Sequence, residues 1–178
     1  MEQTTLEMFR GELLCTGAYA TPPGRMAPKP RTPGALTTFG LCWSTFSVFP
    51  LCAVYEALGR LTTDKWAHFC FRSARKAERY GVPLIAEGWN NRRDYKGPVV
   101  YLANHMSTLE TILLPFVLLG YGPFSTVVKA SLAHLPFLEK AAAHMGLIPI
   151  GRTNPREDLM TIFNVGGERI AQGSSVLI

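Results

Sequence analysis

From Pro83 onward the sequence keeps changing period, and that alternation constrains the fold more than any other feature. Short apolar runs at 83–87, 98–103, 124–129, 147–150 and 175–178 read as strands. Between them, apolar residues at helical spacing predict helices over 108–119, over 136–145 and from Pro155 onward. Gly120, Gly146 and Gly173 are the expected stops. The last helix has a complete start signal: Asn154 to cap, Pro155 at the first position and Glu157 at the third. Its buried stripe should be Leu159, Ile162, Phe163, Gly166 and Ile170. Residues 89–97 are turn-rich. Strands alternating with helices predict an α/β fold with a mixed, largely parallel sheet flanked by helices.

The first half reads differently. Residues 6–14 suit a short helix, and 20–34 form a proline-rich linker or arm carrying Arg25, Lys29 and Arg31. Residues 32–55 hold no formal charge. About 20 apolar residues span a bilayer core, but Thr37, Thr38, Ser44, Thr45 and Ser47 dilute this run and Pro50 interrupts it. A kinked, re-entrant or interfacial helix pair fits better than a clean span. Leu61 to Tyr80 predicts an amphipathic helix, capped at Thr62 or Thr63 and ended by Gly81. Trp66, Phe69, Ser73, Ala77 and Tyr80 share one face, and Arg72, Arg75, Lys76 and Arg79 another. The basic face suits anionic lipid, and equally the solvated side of a helix on a sheet. The expected organisation is an arm at 1–33, a membrane-associated apolar segment at 34–58 and an α/β domain at 59–178.

Composition narrows the partners. A net charge of +5 across 178 residues, 47% of them hydrophobic, fits anionic lipid or an anionic substrate. No basic tail, zinc finger or RNA-binding sheet pattern is visible, so nucleic acid is not expected. Cys15, Cys42, Cys52 and Cys70 match no metal spacing and read as free thiols of a reduced, intracellular protein.

The chemistry gathers where the run 98–103, expected as a buried strand, meets Asn104 and His105. Ser107 then resembles a helix N-cap, with Glu110 three residues on. Imidazole can take a proton from a hydroxyl at physiological pH, and a carboxylate on its far nitrogen would orient it. On one continuous helix His105 and Glu110 would point about 140° apart, so they can meet only if the chain turns between them. Glu110 equally suits a capping box with Ser107, and His105 a hydrogen-bonded core histidine.

Asn104-His105-Met106-Ser107-Thr108-Leu109-Glu110 resembles the first motif, Asn-His-x-Ser-x-x-Asp, of the glycerolipid acyltransferase family, with Glu110 at the aspartate position. Thr126-Val127-Val128-Lys129-Ala130 resembles a family strand ending in a substrate-side lysine. Gly146-Leu147-Ile148-Pro149-Ile150-Gly151-Arg152 resembles the second conserved block. The resemblance implies an enzyme that moves a fatty acyl group from acyl-CoA or acyl carrier protein to a lysophospholipid hydroxyl, foremost that of 1-acylglycerol 3-phosphate. His105 would be general base and Glu110 its orienting partner, and Asn104 and Ser107 would bind substrate. Lys129 and Arg152 would hold phosphate, with Arg156 a third candidate. No cofactor is implied. Backbone amides near the start of the 108–119 helix would serve the oxyanion. The expected location is the intracellular face of a membrane. The family's third motif, Phe-Pro-Glu-Gly-Thr-Arg, would follow Val176-Leu177-Ile178, so a truncated chain is expected. Two rivals stand beside this reading: a non-catalytic membrane-binding homologue, and a lipid ester hydrolase, which lacks a Gly-x-Ser-x-Gly elbow here.

Overall fold

The computed structural model describes residues 5–25, 34–107, 109–135 and 145–178. Its elements are α1 (Leu6–Thr16), β1 (Tyr19–Ala20), α2 (Ala35–Phe46), α3 (Val48–Ala57), α4 (Thr63–Arg79), β2 (Ile85–Ala86), α5 (Asn90–Asp94), β3 (Val100–Tyr101), α6 (Glu110–Leu118), β4 (Phe124–Lys129), α7 (Ala130–Ala133), β5 (Leu147–Ile150), α8 (Pro155–Ala171) and β6 (Ser175–Leu177). The helix expected over 136–145 lies outside the described residues, apart from Met145.

Local chemistry sets several boundaries where they were expected. Thr62 Oγ1 accepts the Lys65 N–H at 3.2 Å ahead of α4, and Gly81 leaves it with φ 81°. Asn154 Oδ1 accepts the Arg156 N–H at 3.2 Å while its amide donates to Glu157 at 2.7 Å, closing the start of α8. Gly173, at φ 84°, follows its end. The expected interruption at Pro50 is not seen: Pro50 lies inside α3, and Ser47, between α2 and α3, keeps helical backbone (φ −64°, ψ −14°) with its N–H donating to the Trp43 carbonyl at 2.9 Å.

The chain divides into two compact units. The first comprises Met1–Val48, Ala67–Lys96 and Ser107–Tyr121. Its core is aromatic: Phe9 lies 4.8 Å from Tyr19, 5.1 Å from Phe116 and 5.6 Å from Phe71, ring centre to ring centre. The Glu78 carboxylate is buried there, accepting from Tyr19 Oη at 2.9 Å and Thr21 Oγ1 at 2.7 Å and paired with the Arg75 guanidinium. Full satisfaction makes such burial tolerable. Helix α2 rests on α4 through small groups, with Ser73 Oγ donating to the Ser44 carbonyl at 3.1 Å. On α2, Phe39, Trp43 and Phe46 stand exposed.

The second unit comprises Phe49–Trp66, Gly97–Met106 and Gly122–Ile178. It holds a four-stranded sheet in the order β3-β6-β4-β5, parallel throughout. Ile148 and Val176 are buried on it, and Trp66 stacks on Phe124 at 5.6 Å. Gly166 faces Val176, where a Cβ would meet the valine side chain at an ordinary contact distance of 3.8 Å.

Several expectations need correction. The run 98–103 is not a buried strand. Only Val100–Tyr101 is strand, it is the sheet's edge, and Val100 and Leu102 are 55% and 81% exposed. Residues 83–87 shrink to β2, which pairs antiparallel with β1 in a separate ribbon, Tyr19 opposite Ala86. Within 89–97 a helix forms, because tertiary contacts hold it: Trp89 stacks on Tyr121 at 5.4 Å and Arg92 donates to the Tyr121 carbonyl at 2.9 Å. Gly120 does not stop α6, which continues as a 3-10 turn through Tyr121. On α8 the stripe is rotated: Gly166 is buried, Ile162 and Ile170 are half-buried, but Leu159 and Phe163 are exposed.

Candidate active site

Parallel strands collect their carboxyl ends at one edge of the sheet, where α/β folds hold ligands. Three of the second unit's strands deliver named residues there. β3 runs into the segment 102–107, which carries Asn104 and His105, both exposed. β4 ends on exposed Lys129. β5 runs into Gly151 and Arg152, also exposed. Register fixes their levels. Tyr101 and Thr126 both lie level with Leu177, so Lys129, three residues past Thr126, lies at the height Asn104 would have if β3 were prolonged. Lys129 is level with Ile150, two residues before Arg152. Laterally, β4 is two strand spacings from β3, roughly 10 Å, and β5 one further. The edge thus gathers an imidazole and two cations, spaced across the sheet by strand widths.

Ser107 and Glu110 belong to the first unit. Glu110 opens α6 and is half-buried, where the helix macrodipole favours a carboxylate. Ser107 is not the N-cap. Its Oγ accepts the Leu109 N–H at 3.2 Å, closing the turn before α6, and the capping position falls on Leu109 without a side-chain bond. The helix starts at Glu110, too late for Ser107 to reach its first turn. Arg156 is exposed at the start of α8, its N–H donating to Asn154.

One residue of this edge escaped the sequence reading. Asp158, in the first turn of α8, accepts the Gly151 N–H at 2.9 Å on Oδ1 and the Arg152 N–H at 2.8 Å on Oδ2. The available signal was an acidic residue one helical turn past a cap, following a Gly-Arg pair. Among the described residues, no group of three or more His, Cys, Asp or Glu side chains could hold a metal ion.

A profile of the Acyltransferase family matches residues 71–178. The chain is also similar to a curated protein of Pseudomonas aeruginosa described as 1-acyl-sn-glycerol-3-phosphate acyltransferase. The two are 31% identical over 146 residues, covering 80% of this chain and 53% of the relative. The chain therefore spans about half the length of the curated relative it matches. No solved structure matches.

Proposed function

Because the chain belongs to the acyltransferase family, we propose that it transfers a fatty acyl group from an acyl-CoA or acyl carrier protein thioester to the free hydroxyl of a lysophospholipid, foremost 1-acylglycerol 3-phosphate, giving phosphatidic acid. The observation that carries this reading is the gathering of Asn104, His105, Lys129 and Arg152 at the carboxyl edge of one parallel sheet. The relative's name supports the acceptor.

In this mechanism His105 accepts the hydroxyl proton as the acceptor oxygen attacks the thioester carbon. The carbon–sulfur bond breaks, and the thiolate leaves with the proton that the imidazolium returns. Both substrates bind at once, and no acyl-enzyme forms. Glu110 is the carboxylate at the family's aspartate position, and Asn104 and Ser107 contribute to substrate binding. Arg152 supplies a planar fork for the acceptor phosphate and Lys129 a point charge. The test is phosphatidic acid formation from 1-acylglycerol 3-phosphate with each donor in turn. Release of free fatty acid in place of transfer would favour the hydrolase reading, and no turnover with either donor would favour a non-catalytic membrane module.

The reaction's acceptor is a membrane lipid, and the apolar run of α2 and α3 supports a membrane location. Thr38–Ala57 is long and apolar enough to cross or enter a bilayer, with only 22% of it buried within the protein. The exposed aromatics of α2 supply an interfacial face. Replacing Phe39, Trp43 and Phe46 together by serine should cut binding to anionic vesicles at least roughly tenfold, since each buried aromatic contributes about 1.5–3 kcal/mol. Vesicle flotation measures this. Unchanged flotation of the triple variant would rule out this face as the anchor.

A further inference from the structure

We infer that Asp158 is a positioning residue for the acceptor's phosphate, acting through Arg152; the inference rests on the acyl-transfer reading above. Among the described residues Arg152 is the one non-glycine with positive φ, at 60°. A side chain makes that conformation costly, and it persists only where surrounding groups hold it. Asp158 is the group that holds it. Its two carboxylate oxygens take the backbone N–H groups of Gly151 and Arg152, one each, at 2.9 and 2.8 Å. The chain leaving β5 is thereby folded onto the first turn of α8.

The arrangement has a second effect. A carboxylate beside an arginine would ordinarily pair with the guanidinium and neutralise it. Both Asp158 oxygens are instead engaged by backbone amides. Among the described residues the Arg152 guanidinium has no hydrogen-bond or ion-pair partner, and the residue is exposed at the sheet's carboxyl edge. Asp158 thus fixes the arginine's backbone without consuming its charge. The fork stays available to an anion while its direction is set by a bonded turn. That is what holding a phosphate requires, since a planar guanidinium pairs with it bidentately only when the fork faces it.

A double-mutant cycle tests this against a merely structural role. Asp158→Ala should raise KM for 1-acylglycerol 3-phosphate roughly tenfold and change kcat by less than about twofold. Asp158→Asn, which keeps one acceptor oxygen, should fall between. In an Arg152→Ala background, Asp158→Ala should change KM by less than about twofold, because the group it positions is gone. An equal rise in both backgrounds, or no rise in either, overturns the inference. If Asp158→Ala fails to fold by circular dichroism, the cycle is run with Asp158→Asn. Calorimetric binding of glycerol 3-phosphate in detergent micelles repeats the cycle without turnover. Coupled loss of binding with no turnover from the parent protein rejects the acyl-transfer reading and upholds the role of Asp158. Turnover without coupling rejects the role of Asp158 alone. Neither binding nor turnover rejects both.

Discussion

Replacing His105 by alanine is expected to lower acyl transfer by roughly 100- to 10,000-fold, the usual worth of a positioned general base. The loss should fall on kcat and on kcat/KM alike, because proton abstraction contributes only in the transition state. The fold should barely notice. His105 is exposed on the segment 102–107, and surface substitutions generally stay within about 0.5 kcal/mol. In a chain of this size that shifts the melting temperature by roughly 1–2 °C. The check is therefore a pair of measurements, product formation and thermal unfolding, on the same preparation. Turnover within about tenfold of the parent would show that another group takes the proton. A large drop in melting temperature would assign His105 to structure instead.

The largest stability effect should come from the other unit. Phe116 is fully buried in α6, with its ring 5.1 Å from Phe9 and 5.6 Å from Phe71. Truncating a buried phenylalanine to alanine costs about 3–5 kcal/mol, from lost transfer free energy and the cavity left behind. Domains are typically stable by only about 5–15 kcal/mol, so Phe116→Ala removes a large share. Urea denaturation should show the midpoint falling in proportion. Phe163→Ala is the matched control. Its ring is 66% exposed on α8, and its truncation should cost no more than about 0.5 kcal/mol. Equal effects from the two would mean that exposure does not describe Phe163 in solution.

The same contrast marks what could be read from the sequence. β4, β5 and β6 were legible because each is a short apolar run, and α8 because Asn154, Pro155 and Gly173 state its ends in local chemistry. β1 was not legible, since Tyr19–Ala20 is a strand only by virtue of Ala86 and Ile85, far along the chain. Helix α5 depends similarly on Tyr121. Exposure was the weakest inference. An apolar run does not say whether its strand will be central or at an edge, so Val100 and Leu102 were misjudged. The His105 motif, Lys129 and Arg152 were all reached through resemblance, because local pattern alone makes each cation an ordinary surface residue. The Asp158 bonds to the Gly151 and Arg152 amides were not legible, because they exist only once the chain between β5 and α8 is folded.

Strand order carries a further consequence, for how the sheet assembles during synthesis. Among the described strands β6 is the latest in sequence, yet it lies between β3 and β4. The Val99 amide must wait for the Ser175 hydroxyl, 76 residues later. A nascent chain emerging from the ribosome can pair β4 with β5 early. It cannot close β3 onto anything in this sheet until β6 slots in. Such distant pairings carry a high contact order and form slowly. For that interval both flanking strands expose open backbone edges, the state in which a chain is most prone to join a neighbour. Translation pauses or chaperone shortage should therefore harm this protein most while the stretch between β5 and β6 is being made.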